Sequence, residues 1–374
     1  GNIGAGEAAE VTLVLVAPLL HEDGAVTVRV PLVVTPRYVP GAPLDGEAVG
    51  AGWGPDTDAA PDASRVTPPV LLPGFPEPVA LSLAVTVDPA GLPLGELTSS
   101  LHAVTRTEGD DGTIRVEVEP GERVDRDFVL RYDLPVPDIE AAATVSPDPA
   151  AAGDDMAEPA EATVAVTVIG PAPAGEVPPR DVVVLLDRSG SMGGWKMVAA
   201  RRAAGRLVDA LGPDDRFALL AFDHECEAFA DGELVMATDR SRWRAGEWAA
   251  RLEARGGTEL LDPLQRAVAL LTRPAGDGSP EPRRERVVLL VTDGQVANEG
   301  QLVAAVTGAP VRLFAVGIDR AVNAGLLERL ARVTGGRADL VESEDRLDAA
   351  LTGLRRRLAP PLLTDVTVEG AGID

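Results

Sequence analysis

Residues 181–192 read DVVVLLDRSGSM. The apolar run Val182 to Leu186 does not alternate with polar residues, which is the pattern of a strand buried on both faces. It closes on Asp187, and the next five residues place two hydroxyls, Ser189 and Ser191, on a tight loop that Gly190 permits. Helical spacing follows at once, with Met197, Ala200, Ala204, Leu207, Val208 and Leu211 at i, i+3, i+4 steps.

The rest of the second half repeats that alternation. Arg216–Phe222, Arg286–Thr292, Val311–Val316 and Ala338–Val341 read as strands. Asp239–Ala254, Leu260–Leu271, Gln301–Val306, Leu326–Val333 and Asp345–Leu358 read as helices. Such alternation predicts an α/β fold: a doubly wound, mostly parallel sheet with helices on both faces. Ligand sites in these sheets lie at the carboxyl ends of the strands. Three such ends and loops carry oxygen donors here: Asp187, Ser189 and Ser191 on the first; Thr258 within Arg255-Gly256-Gly257-Thr258-Glu259; and Asp293 in Thr292-Asp293-Gly294. An all-oxygen set suits a hard divalent cation that keeps some of its waters, whereas soft metals want Cys or His.

The arrangement resembles the metal-ion-dependent adhesion site of von Willebrand factor A domains, with the motif Asp-x-Ser-x-Ser at 187–191. The resemblance implies direct ligation by Ser189 and Ser191, ligation by Thr258 directly or through water, and Asp187 and Asp293 acting largely through bridging waters. It implies Mg²⁺, alternatively Mn²⁺ or Ca²⁺, with an open position that a protein partner's Asp or Glu fills. The function expected is metal-dependent protein binding in adhesion or assembly, without catalysis. The alternative is an accessory A-domain subunit of an ATPase or chelatase-type complex. No Gly-x-x-x-x-Gly-Lys-Ser/Thr loop is present, and the sole lysine, Lys196, follows Gly193-Gly194-Trp195.

The first half differs in character. Of 32 prolines, 24 precede Asp181. Short alternating runs at Val11–Val16, Val26–Val34, Leu81–Val87, Leu101–Thr107, Thr113–Val118, Asp127–Tyr132 and Thr163–Ile169 predict a β-sandwich or barrel, with Asp111-Gly112 as a hairpin turn. Val39–Pro78, rich in Pro, Gly and Asp, reads as an exposed loop. Ile3–Pro40 is similar to the closing part of a VIT domain, the module that precedes the A domain in inter-alpha-trypsin inhibitor heavy chains. Pro36-Arg37-Tyr38 is its most specific piece. The resemblance implies a sandwich lacking its earlier strands. The organisation expected is a VIT-like β-sandwich with linker at 1–176, an A domain at 177–360, and a tail at 361–374. Within that tail Asp365–Val368 could return as a strand. The linker proper is Pro171–Pro179.

Composition narrows the function classes. The formal net charge is −25, which disfavours nucleic acid and anionic membrane surfaces as partners. No apolar run reaches the roughly 18–20 residues of a membrane span. Cys226 is the only cysteine, so no internal disulfide and no cysteine zinc site are expected. The chain opens without the basic and apolar segments of a signal peptide. The family resemblance nevertheless implies a secreted or cell-surface setting, and leaves the oligomeric state open. Asp223-His224-Glu225-Cys226 is expected to be a solvated loop, His21 and His102 structural, and Trp243 and Trp248 helix-packing residues.

Overall fold

The computed structural model describes residues 9–357 except 16–18, 20, 23, 71–78, 135–139, 148–161, 170–177 and 274–283. The tail strand expected at Asp365–Val368 and nearly all of the linker lie outside these residues.

The first half is built from antiparallel pairs. In chain order the strands are β1 (His21–Glu22), β2 (Ala25–Val30), β3 (Ala84–Val87), β4 (Leu97–Ser99), β5 (Val104–Glu108), β6 (Ile114–Val118), β7 (Phe128–Asp133), β8 (Glu140–Pro147) and β9 (Ala162–Ile169). They pair as β1-β2-β7-β4, as β3-β6-β5 and as β8-β9. The two larger sheets share one apolar cluster that includes Val26, Leu97, Phe128 and Leu130 from one, and Val87, Ile114 and Val116 from the other. Alternation explains the share: in β6, Ile114 and Val116 point inward while Arg115 and Glu117 face water. The Asp111-Gly112 turn joins β5 to β6, with Gly112 at φ +82°.

The structure differs from the sequence reading at three places. Val11, Leu13, Val14 and Leu15 are exposed and unpaired rather than a strand, because alternation stabilises a strand only where a neighbouring strand takes up its backbone groups. The short β4 and the alanine-rich β8 escaped the sequence reading, since their side chains favour strands weakly and pairing with β7 and β9 sets them. Residues 40–67, part of the expected exposed loop Val39–Pro78, are mostly exposed but also fold onto themselves. Asp56 accepts from the backbone of Val49 and Ser64, Thr57 donates to the Pro40 carbonyl at 2.6 Å, and Thr67 caps the one-turn helix α1 (Ala63–Val66) by donating to the Ala63 carbonyl. Pro, Gly and Asp marked the turns correctly; bonds from Asp56 and from the hydroxyls of Thr57, Ser64 and Thr67 satisfy the polar groups buried inside the loop.

The second half runs β10 (Arg180–Asp187), α2 (Trp195–Asp209), β11 (Arg216–Phe222), β12 (Cys226–Ala228), β13 (Val235–Met236), α3 (Asp239–Ala250), α4 (Leu261–Thr272), β14 (Glu285–Thr292), α5 (Glu299–Val306), β15 (Arg312–Ile318), α6 (Ala324–Val333), β16 (Arg337–Val341) and α7 (Glu344–Arg357). The sheet order is β12-β11-β10-β14-β15-β16, parallel except where β12 and β13 run antiparallel to β11. Every residue of β10 is buried, as its unbroken apolar run requires. Val182, Val184 and Leu186 face α2, α3 and α7; Val183 and Leu185 face α4, α5 and α6. Helix α3 ends at Ala250, short of the expected Ala254, because the chain must leave the helix for the Arg255 amide to reach the Arg188 carbonyl at 2.7 Å. Trp248 packs on Phe229, but Trp243 is 67% exposed and contributes no packing of the kind expected. No described helix is long and apolar enough to cross a membrane.

Candidate metal centre

From β10 the chain moves to β11 on one side, then returns to β14 on the other. The strand order reverses between β10 and β14, which is where an open α/β sheet leaves a crevice. Asp187 ends β10, and Asp293 immediately follows β14. Both carboxylates are fully buried. Ser189 and Thr258 are also buried, whereas Ser191 is exposed at the mouth.

Backbone bonds hold the carrier loops together. The Ser189 amide donates to Asp187 Oδ1 at 2.8 Å, and the Ser189 and Ser191 hydroxyls lie 3.0 Å apart. The Gly190 amide donates to the Gly256 carbonyl at 3.0 Å, joining the serine loop to the loop of Thr258. Gly256, at φ +69°, turns that loop where few other residues would. On the β14 side, Thr292 donates its hydroxyl to Asp187 Oδ2 at 2.5 Å and accepts the Gly294 amide at 2.9 Å. The Gln295 amide donates to Asp293 Oδ1 at 3.2 Å. The predicted residues Asp187, Ser189, Ser191, Thr258 and Asp293 therefore sit on three loops around one crevice.

Burial pushes the Asp187 carboxyl up to about 7, and the neighbouring charge of Asp293 adds to the rise. Two buried acids side by side are costly unless a cation joins them. Part of that cation is built in: Lys196 Nζ lies 3.1 Å from Asp293 Oδ2 and 2.9 Å from Asp319 Oδ2. Burial would lower the Lys196 ammonium, but Asp293 and Asp319 outweigh it and raise it. The remaining oxygens, two serine hydroxyls and Asp187 among them, fit a hard divalent ion.

Sequence reasoning left out Lys196, Thr292 and Asp319. Lys196 had a signal, as the only lysine of the chain and nine residues beyond Asp187. Thr292 sat inside a quoted motif, but nothing in its type announced a bond to Asp187. Asp223, His224 and Glu225 bring ligand atoms within 4.8 Å of one another. However, Asp223 already pairs with Arg188 at 2.9 Å and Arg255 at 2.8 Å. Burial would raise the Asp223 carboxyl, yet the bond from Arg255 and the flanking guanidinium charges hold it low. A cation there would have to displace both. Cys226 is half-buried, which pushes its thiol up. His102 is buried, with Nε2 at 3.1 Å from the Arg123 carbonyl.

Comparison with known proteins identifies the domain that carries these loops. Residues 181–352 match the model of the von Willebrand factor type A domain. Human inter-alpha-trypsin inhibitor heavy chain H4 is 31% identical over 199 residues, covering 51% of this chain and 21% of that protein. Bovine heavy chain H3 is 28% identical over 207 residues, 53% of this chain and 23% of that one. The alignments thus span about a fifth of the curated relatives' length. Among solved structures, a von Willebrand factor type A protein from Catenulispora acidiphila aligns over 59% of this chain and 50% of its own, at 21% identity and TM-score 0.42. The pilus adhesin SpaC of Lactobacillus rhamnosus GG, in its open conformation, aligns over 59% and 33%, at 15% identity and TM-score 0.41.

Proposed function

We propose, from the premise that residues 181–352 are a von Willebrand factor type A domain, that the chain is a cation-dependent protein-binding module. The observation that carries the reading is the convergence of Asp187, Ser189, Ser191, Thr258 and Asp293 at the β10/β14 crevice, with both carboxylates buried. Ser189, Ser191 and Thr258 would hold Mg²⁺ or a similar hard ion, and Asp187 and Asp293 would orient its waters. A bound ion supplies an electrophilic position open toward solvent, on the side where Ser191 is exposed. With only neutral hydroxyls as direct ligands, that position favours an acidic side chain from a partner protein.

Binding suits the site better than proton transfer. Asp187 is held by Thr292, Asp293 by Lys196, Glu259 by Tyr38, and Asp223 by two arginines. Each acid beside the crevice is thus committed to a donor or a cation. The first half, whose two larger sheets share one apolar cluster, serves as a VIT-like support, and a secreted or cell-surface setting belongs to the same reading.

The test is titration of a glutamate-rich peptide against the chain with Mn²⁺, with chelator, and with a glutamine version of the peptide. Binding only to the acidic peptide, and only with Mn²⁺, is expected. Binding that persists in chelator would overturn the reading.

A further inference from the structure

The Pro36-Arg37-Tyr38 step stands out in the sequence, yet the metal site as described makes no use of it. In the structure it crosses from the first half onto the crevice. The Tyr38 amide donates to the Gln295 carbonyl at 2.9 Å, and the Ala297 amide donates to the Tyr38 carbonyl at 3.0 Å. Tyr38 thereby forms a parallel bridge with Val296, just past Asp293. Its side chain reaches the other way. The hydroxyl donates to Glu259 Oε1 at 2.7 Å, next to Thr258. Its ring covers Gly257 so closely that a Cβ there would lie 2.5 Å from it. Arg37 adds an ion pair to Glu299 at 2.8 Å, at the start of α5.

One residue of the first half therefore touches two of the three loops that carry the site. Its backbone fixes the loop after Asp293, and its side chain fixes the loop of Thr258. The third loop is tied on through Gly190 and Gly256. We propose that Tyr38 is a positioning residue of the cation site: it sets the spacing of Thr258 against Asp293, so the first half of the chain governs how tightly the second half holds its ion. The inference rests on the binding-module reading. Burial, with the Glu259 charge behind it, pushes the Tyr38 phenol up to about 12, so the hydroxyl remains a donor across the working pH range.

The side-chain substitution Tyr38→Ala leaves the backbone bridge to Gln295 and Ala297 and removes the grip on Gly257 and Glu259. Losses of outer-sphere partners typically weaken metal binding about 10- to 100-fold. Mn²⁺ titration of the full chain, followed by the Mn²⁺ electron paramagnetic resonance signal, should show at least a tenfold loss for Tyr38→Ala and a smaller one for Tyr38→Phe, which keeps the packing. Melting in chelator should change little for Tyr38→Phe. Gly257→Ala, which forces the ring off the loop, should weaken Mn²⁺ binding in the wild-type background and add nothing in the Tyr38→Ala background, since coupled neighbours are not additive.

Wild-type affinity retained by both Tyr38→Ala and Gly257→Ala would overturn the inference while leaving the site intact. A wild-type chain that binds no Mn²⁺ would overturn the binding-module reading itself and take this inference with it. Should Tyr38→Ala fail to fold, Tyr38→Phe and Gly257→Ala decide the matter: unchanged Mn²⁺ affinity in both counts against it.

Discussion

The Lys196 ammonium stands 3.1 Å from Oδ2 of Asp293, a carboxylate with no exposure to solvent. Breaking a buried pair by removing one partner costs about 3–5 kcal/mol, because the other charge is left uncompensated. Lys196→Gln should therefore lower the melting temperature in chelator by several degrees, at roughly 2–4 °C per kcal/mol for a domain of this size. Excess Mg²⁺ should restore most of the loss, since the ion takes over as counter-charge. An unchanged melting temperature in chelator would show that Asp293 does not depend on Lys196.

The protonation of Asp187 sets a second expectation. Its carboxyl sits at about 7 in the cation-free fold, against about 3.9 for an unfolded chain. Between those values the folded chain holds a proton that the unfolded chain has released. In chelator, this group's contribution to stability is then full below about 4 and declines as pH rises toward 7. A divalent ion competes with that proton, so its binding strengthens over the same window. The rise in melting temperature caused by Mg²⁺ should be small at pH 5.5 and large at pH 8. Equal rises at both would mean that Asp187 is ionised throughout.

Thr292 tests the same carboxylate from the protein side. Its buried hydroxyl both donates to Asp187 Oδ2 and accepts from the Gly294 amide. Thr292→Val keeps the shape and removes both bonds, leaving a buried amide and a buried acid short of a partner. A cost of about 1–3 kcal/mol is expected for each group left unsatisfied. Thr292→Ser, which retains the hydroxyl, should recover much of it. A valine variant as stable as wild type in urea melts would contradict the role given to this hydroxyl.

The second half was legible because its physics is local and periodic. The unbroken run Val182–Leu186 and the helical spacing from Met197 each dictate one element, and carboxylates at strand ends mark the crevice. The ends of elements were less legible, as at α3, where a tertiary bond between Arg255 and Arg188 decides the last turn. In the first half, the turn residues of 40–67 and their exposure were read correctly but the burial of Thr57, Ser64 and Thr67 was not, because they and Asp56 find partners that no spacing rule foretells. Lys196 and Thr292 stayed hidden for a similar reason. Their roles depend on meeting Asp293 and Asp187 across the sheet, and a single sequence does not record such meetings.

The serines give the most direct test of the site. Ser189 and Ser191 face each other at 3.0 Å, so replacing both by Ala removes a pair of partners and strands neither. Loss of both members of a polar pair is often nearly neutral for stability. The Ser189 amide still donates to Asp187, and β10 is untouched. The double variant Ser189→Ala/Ser191→Ala should thus melt in chelator within a few degrees of wild type. It should nevertheless lose the Mg²⁺-induced rise and Mn²⁺ binding together, because two of the proposed direct ligands are gone. Asp293→Asn should retain weak Mn²⁺ binding, since the serines remain while the orientation of coordinated waters suffers, at a cost of about 10- to 100-fold. Mn²⁺ binding at wild-type strength by the double-alanine chain would place the ion elsewhere and leave this crevice a structural feature of the fold.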